Sequence, residues 1–185
     1  KKVSEKELLR GCQQHSPKHQ TAFYQKYKGR LMGICRRYAK NAAEAEDILQ
    51  EAFVKIFRSI GDVRNPETVV AWMKKIVAHT ALNYYRSGLP QNQLTDYDEV
   101  TQPNDDYWQL MEQLSTEEIL SLIHTLPDGY RVIFNLYVID GYDHAEIAQF
   151  MGISENTSRS QLFKARDLLK KKLKEMGIVN YEKHA

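Results

Sequence analysis

The sequence has few cysteines, which can cross-link a chain, and few glycines and prolines, which interrupt its helices. Its only cysteines are Cys12 and Cys35, and they form no CxxC pair. This excludes a disulfide framework, so both are expected to be small buried hydrophobic residues in a reducing compartment. Glycine and proline number 9 and 5 among 185 residues, which excludes a low-complexity chain.

Long hydrophobic runs and catalytic motifs are missing as well. No apolar run approaches the roughly 20 residues that a membrane-spanning helix needs, and no charged-then-apolar leader precedes a cleavage site. We therefore expect a cytoplasmic protein. The sequence contains no glycine-rich phosphate loop and no nucleophile elbow, so we expect neither an enzyme nor a cofactor.

Charge is present but segregated. The net charge is only +2, yet residues 1–87 carry 17 Lys and Arg against 8 Asp and Glu. Residues 88–118 carry no basic residue against 8 acidic ones, and from Arg159 onward 8 basic residues face 3 acidic ones. Two basic regions are thus separated by an acidic connector, which either provides solubility or imitates nucleic acid in a basic channel of a partner.

Outside this connector the apolar residues recur at intervals of three and four, which predicts an all-α protein. The connector itself has two prolines and no helical period before Trp108. We predict two small helical domains, residues 1–87 and 117–185, joined by a flexible acidic linker over residues 88–116.

The first domain is predicted to contain four helices. Ser4 and Glu7 have the spacing of a capping box, and the fourth helix is expected from about Thr68 to Arg86. Trp72 is assigned to the apolar core face of that helix. The predicted core includes Phe23, Tyr27, Leu31, Ile34, Cys35, Tyr38, Ala52, Phe53, Ile56, Phe57, Val69, Trp72, Met73, Ile76, Val77 and Thr80.

The segment HAEIAQFMGISENTSRSQLFKAR, from residue 144 to residue 166, has the pattern of a helix-turn-helix. Asp143 and Glu146 predict a capped first helix, Gly152 its left-handed end, and Ser154 the cap of the second helix. Because the N-terminal part of such a second helix enters the major groove, its outer face is predicted to bind DNA. That face is predicted to comprise Asn156, Thr157, Arg159, Ser160, Phe163, Lys164 and Arg166. The alternative is an ordinary helical hairpin with a solvated basic end.

Two further polar sets lie in the first domain. Lys75, His79, Asn83 and Arg86 follow one side of the fourth helix, opposite the assigned core face, and such a stripe is either a phosphate-binding track or a solvated surface.

The third helix carries the second set, which consists of Asp47, Gln50, Glu51 and Val54. Polar groups around an exposed valine indicate a protein-docking surface. The alternative is a carboxylate metal site, but no further acid or histidine is spaced to complete it, so no metal is expected.

Three segments together carry a family resemblance. AEDILQEAFVKIF, AWMKKIVAHTALNYYR and LPDGYRVIFNLYVIDGYDHAEIAQFMGISENTSRSQLFKARDLL resemble, in this order, the extracytoplasmic-function group of bacterial RNA polymerase sigma factors. The resemblance covers nearly the whole chain. It implies two helical domains, sigma regions 2 and 4, that direct core RNA polymerase to promoter DNA.

The resemblance also implies a role for each polar set. The Asp47 set would bind the clamp helices of the polymerase's largest subunit, and the polymerase flap would be a further contact. Arg64 and Asn65, in the loop before the fourth helix, would join the polar stripe at the minus-10 element, and the helix-turn-helix would read the minus-35 element. The acidic linker would thread the active-site cleft and the RNA exit channel. An anti-sigma factor, often membrane-bound in this family, is a further implied partner.

Three residues depart from the family pattern. Ser158 stands where a buried valine is usual, which is expected to loosen the second helix of the helix-turn-helix. His79 replaces a common asparagine and Asn83 a common aspartate, so the minus-10 preference stays open. The rival functions are an autonomous helix-turn-helix regulator, which would normally dimerise, and a DNA-processing enzyme.

Overall fold

The structure, a computed structural model, describes residues 4–87 and 111–178. Within these two ranges the regular structure is helical and no strand occurs, so the all-α prediction is confirmed. The described residues fall into two compact units, residues 4–87 in the first and 111–178 in the second. No helix in these ranges combines the length and the apolar character needed to cross a membrane.

Four α-helices form the first unit, with two 3-10 turns between the last two. They are α1 (Glu5–Gln13), α2 (Pro17–Tyr38), α3 (Ala42–Ser59), the turns Ile60–Asp62 and Pro66–Thr68, and α4 (Val69–Ser87). The predicted capping box is confirmed, since the Ser4 hydroxyl accepts from the backbone N–H of Glu7 and the Glu7 carboxylate accepts from that of Ser4. The Asn41 side chain caps α3 by accepting from the backbone N–H of Glu44.

The core of the first unit is aromatic where α2 meets α3. The ring centroids of Phe23 and Tyr27 lie 4.7 Å apart, and those of Tyr24 and Phe53 lie 4.6 Å apart. All six core residues predicted on α2 are buried, and each large apolar side chain buried there contributes about 1.5–3 kcal/mol to stability.

Both cysteines lie in this core, as predicted. Burial raises the pKa of Cys12 to about 11 and that of Cys35 to about 12, so neither forms a reactive thiolate near neutral pH.

Three core assignments were wrong, since Phe57, Trp72 and Ile76 are each only partly buried. Trp72 is half-buried rather than inside, while Met73 and Val77 of the same helix are fully buried. The apolar face of α4 is centred on Val69, Met73, Val77, Ala78, Ala81 and Leu82. Trp72 lies at the edge of that face, so the polar stripe is its neighbour and not its opposite.

The second unit contains α5 (Thr116–His124), α6 (Asp128–Phe134), α7 (His144–Met151) and α8 (Glu155–Glu175). A π-helical turn, Asn135–Ile139, continues α6, which the sequence pattern did not predict. Ser115 opens α5 with a second capping box, and Met111 is buried, so the last residues of the predicted linker segment already belong to folded structure.

The helix-turn-helix prediction is confirmed by α7 and α8. Asp143 caps α7 through a capping box with Glu146, and Gly152 ends it with φ 67°, a left-handed backbone that favours glycine. The Ser154 hydroxyl then accepts from the N–H of Thr157 to start α8. The predicted inner face of α8 is buried, namely Leu162, Ala165, Leu169 and Leu173.

Candidate nucleic-acid interface

The residues predicted to bind a protein partner share one face of α3, which we call the docking surface (Asp47, Gln50, Glu51 and Val54). Asp47 and Gln50 are exposed, and Val54 is 49% exposed, a large value for an aliphatic side chain. Glu51 is half-buried, with its carboxylate 2.6 Å from the Lys55 ammonium. An apolar side chain ringed by polar groups is thus available to a partner.

Sequence reasoning missed a neighbour of this surface, Tyr84 of α4. Partial burial raises the pKa of the Tyr84 hydroxyl, and the negative charges of Glu51 and Asp47 raise it further. The phenol therefore lies close to the docking surface and stays protonated at neutral pH. Its position follows from the packing of α4 on α3, which no local pattern encodes.

The polar stripe (Lys75, His79, Asn83 and Arg86) is exposed along α4, as predicted. Its first three residues line an open groove of about 330 Å³. Trp72 and Ile76 supply apolar walls, and Lys55 of α3 closes one side with its ammonium 3.2 Å from the Thr80 hydroxyl. The groove combines cationic groups, an amide and an indole face, which suits a nucleic-acid strand.

His79 is neutral at neutral pH in this setting. Partial burial of its ring lowers the pKa, and the positive charge of Lys75 lowers it further. The ring can therefore offer one hydrogen-bond donor and one acceptor to a base edge rather than a fixed cation.

The loop between α3 and α4 holds the other predicted minus-10 residues. Arg64 and Asn65 are exposed, and the Asn65 side-chain oxygen accepts from the N–H of Glu67 at 2.9 Å. The base of this loop is held from α1 by Gln13, whose amide donates to the carbonyls of Ile60 at 3.2 Å and Val63 at 2.9 Å. Gln13 was not predicted as part of the site.

On α8, which we call the recognition helix, Asn156, Arg159 and Lys164 are exposed, and Phe163 and Arg166 are half-buried. The Arg159 guanidinium lies 3.0 Å from the Glu155 carboxylate, with both side chains more than half exposed. The two residues are one helical turn apart, and an exposed pair of this kind contributes little to stability, so Arg159 can exchange Glu155 for a stronger partner.

Two hydroxyl residues predicted on the outer face of the recognition helix are buried instead. Thr157 is 4% exposed and its hydroxyl lies 2.8 Å from that of Ser154. Ser160 is 1% exposed and its hydroxyl donates to the Thr157 carbonyl at 3.0 Å. Both groups serve the first turns of the helix itself, because Ser and Thr bond readily to nearby backbone, so they do not face outward.

Ser158, the departure from the family pattern, is completely buried, and its hydroxyl lies 2.9 Å from the His144 Nδ1. The ring of His144 stacks on Tyr137 with centroids 4.4 Å apart. The serine is therefore part of a contact between α7 and the recognition helix.

Other titratable residues form no metal site in the parts of the chain that the structure describes, where no group of three or more His, Cys, Asp or Glu side chains converges. His15 lies in the turn between α1 and α2 and has φ 56°. His19 lies in the first turn of α2, where its Nδ1 is 2.8 Å from the Ser16 hydroxyl.

Comparison with known families assigns the two units. The Sigma-70 region 2 family matches residues 23–88 and the Sigma-70, region 4 family matches residues 116–169. These are the unit with the docking surface and the polar stripe, and the unit with the helix-turn-helix.

Two sigma factors of other bacteria agree with this assignment. The ECF RNA polymerase sigma-E factor of Haemophilus influenzae is 27% identical over 182 residues, covering 92% of this chain and 96% of the relative. The RNA polymerase sigma-H factor of Pseudomonas aeruginosa is 28% identical over 159 residues, covering 80% and 82%. The solved structure of CnrH in complex with the cytosolic domain of CnrY is 17% identical, covers 91% of this chain and 96% of that one, and has a TM-score of 0.48.

The two helical units are matched by two regions of the same family, and a sigma factor of the extracytoplasmic-function group aligns with nearly the whole chain. The chain therefore belongs to the sigma-70 family, in the extracytoplasmic-function group of sigma factors that direct promoter-specific initiation by RNA polymerase.

Proposed function

We propose a division of labour among three surfaces of this sigma factor. The docking surface binds the clamp helices of core RNA polymerase, the polar stripe with the Arg64 loop takes the minus-10 element, and the recognition helix reads the minus-35 element. The observation that carries the proposal is the exposure of Asn156, Arg159 and Lys164 on a helix whose opposite face is buried. The protein supplies positioning and no bond-making chemistry.

The recognition helix suits the major groove by shape and by charge. Asn156 and Arg159 lie in its first turns, where a helix of this class meets base edges, and both can form two hydrogen bonds with a purine. Lys164 and Arg166 follow, and Lys170, Lys171, Lys172 and Lys174 continue the positive charge. These later cations would hold phosphates and fix the register of the helix.

The groove on α4 suits a separated strand better than a duplex. Lys75 and Arg86 are exposed cations that can contact a phosphate backbone, while the half-exposed indole of Trp72 offers a face for base stacking. His79 and Asn83 between them can hydrogen-bond to base edges. The Arg64 loop, which leads into α4 and is held by Gln13, supplies further exposed polar groups for the same element.

The remaining assignments follow from polymerase binding. A cytoplasmic location places the protein with the polymerase that it serves, the polymerase flap is the expected second contact, and the acidic linker would occupy basic channels of the enzyme. An anti-sigma factor would act by covering the docking surface, since occupation of Val54 and Asp47 by one protein excludes the other.

Charge reversal on α3 tests the proposal. Asp47→Lys combined with Val54→Asp should abolish co-migration with purified core polymerase in gel filtration, because the first inverts a charge and the second places a carboxylate in the apolar centre of the surface. Glu175→Lys is the matched control, an exposed acid of the other unit that lies outside the linker, and should bind as the unaltered chain does. Undiminished polymerase binding by the double variant, with its helical content intact, would remove the docking surface from this role.

A further inference from the structure

One contact in the second unit has no counterpart in the roles assigned so far. The His144 Nδ1 and the Ser158 Oγ lie 2.9 Å apart. His144 is the first residue of α7, and Ser158 is the fourth residue of the recognition helix and is completely buried. The contact therefore joins the starting ends of the two helices of the helix-turn-helix.

Packing fixes the imidazole in this place. One face of the ring stacks on Tyr137, with a centroid distance of 4.4 Å and planes 23° apart. The Arg166 guanidinium lies 5.9 Å from the centroid of the same tyrosine ring. Stacking holds one face of the His144 ring and the buried Ser158 hydroxyl holds one edge, so the ring has little freedom to rotate.

The charges around His144 favour its neutral form. The recognition helix faces it with Arg159, Arg166 and Glu155, and Asp143 lies beside it on its own helix. Burial lowers the pKa of the imidazole, and the two arginine charges lower it further against the smaller opposing effect of Glu155 and Asp143. At neutral pH the ring is neutral and can exchange a hydrogen bond with the Ser158 hydroxyl.

The position of Ser158 explains what this contact can control. Ser158 directly precedes Arg159, and its backbone belongs to the turn that also carries Asn156. A shift of this turn moves both side chains relative to a base edge, and a bidentate contact tolerates little displacement.

We propose that His144 is a positioning residue for minus-35 recognition, acting through Ser158 to set the first turn of the recognition helix. The proposal rests on the proposed function, since it assumes that this helix reads the minus-35 element. The polar pair replaces the apolar contact that a valine at position 158 would make, so the serine is compensated and the helix is not loosened.

The energetics of buried polar groups supply the test. Removing one partner leaves the other buried without its hydrogen bond, whereas replacing both with apolar groups of similar shape is nearly neutral. His144→Phe alone and Ser158→Val alone should therefore each reduce minus-35 discrimination. The double variant should reduce it only slightly, and this non-additivity is the signature of a direct coupling.

The measurement uses the full chain with core RNA polymerase. Holoenzyme first selects duplexes from a pool randomised over the upstream element, and the affinity ratio of the selected duplex to a scrambled one is then measured for each variant. Each single substitution should lower this ratio by about fivefold or more, and the double variant should recover to within about twofold of the unaltered chain. Circular dichroism under the same conditions shows whether each variant is folded, so a loss of discrimination can be told from a loss of structure.

A matched control uses Ser160, which is also buried but bonds its own helix at the Thr157 carbonyl. The effects of His144→Phe and Ser160→Ala on the affinity ratio should simply add in the double variant. If His144→Phe does not fold, His144→Gln retains a hydrogen-bonding side chain, so it should keep discrimination with Ser158 and lose it with Val at that position.

The pH dependence gives a second readout. The His144 imidazole should titrate by NMR below the ordinary value of about 6.5. Because a lowered histidine pKa means that the unfolded chain binds the proton first, the stability that depends on a neutral His144 is complete above pH of about 6.5 and decreases as the pH falls below it. The His144→Phe/Ser158→Val chain should lack this part of the decrease.

Two negative results have different meanings. Additive single effects, with the unaltered chain discriminating normally, would overturn the role of His144 alone. Failure of the unaltered holoenzyme to select any upstream sequence would overturn minus-35 reading itself, and the His144 proposal with it.

Discussion

Arg159 has a partner within the chain and is still exposed enough to contact DNA. In the free chain its guanidinium lies 3.0 Å from Glu155, in an exposed pair that contributes little to stability. A guanine edge offers two acceptors in a geometry that suits the guanidinium better. In the proposed minus-35 role, binding would exchange a weak internal partner for a specific external one and would release the Glu155 carboxylate from its ion pair.

We expect Arg159→Ala to cost about 1–3 kcal/mol of discrimination between the selected minus-35 sequence and a scrambled one. Glu155→Gln is the control from the same pair. It should strengthen binding to every duplex alike, because it removes a negative charge near phosphates while the base contact remains. Competition binding with holoenzyme measures both, and an equal loss on all sequences for Arg159→Ala would contradict a base-reading role.

Sequence reasoning at the residue level succeeded where side-chain chemistry is local. The capping pairs of Ser4 with Glu7 and Asp143 with Glu146 could be predicted because both partners lie three residues apart. The burial of Ser160 could not, because a hydroxyl is equally suited to a base edge and to its own helix. Gln13 shows the same limit, since its two acceptors lie 47 and 50 residues away.

The geometry of the helices and turns depends on the backbone conformation at a few residues. The clearest case is the glycine in the turn of the helix-turn-helix. Gly152 has φ 67°, while the helical Gly33 of α2 has no atom within 4 Å of an added Cβ. The same substitution should therefore act in opposite directions at these two sites.

Gly152→Ala should reduce the free energy of unfolding of the second unit by about 1–2 kcal/mol, because a Cβ strains the left-handed backbone. Gly33→Ala should raise that of the first unit by about 1 kcal/mol through better helix propensity. Denaturant unfolding of both variants, with signals from each unit, measures the two changes. A stable Gly152→Ala chain would mean that the turn can take another conformation.

The helix periods predicted α2 better than α4. On α2 every predicted core residue is buried, because a single apolar face packs on its neighbours. On α4 the apolar residues Trp72 and Ile76 extend past that face into the groove. Periodicity reports that a residue is apolar and on which side it falls, but it does not report where the neighbouring helix ends.

For the whole molecule, two signals sufficed for the fold class and the function. Helical spacing gave the all-α architecture, and the order of the quoted segments gave the family. The contacts that unite distant segments, such as Tyr84 beside Glu51 or His144 with Ser158, emerge only when the helices are packed. Most of the predicted linker, residues 88–110, lies outside the residues that the structure describes.

The most direct test of the account is transcription with purified core RNA polymerase on a pool of chromosomal fragments, with and without this chain. We expect transcripts to start at a small set of sites only when the chain is present, and their upstream sequences to share two spaced elements. The Asp47→Lys/Val54→Asp chain should give none of these starts. Identical start sites with and without the unaltered chain would contradict its role as a promoter-specificity subunit.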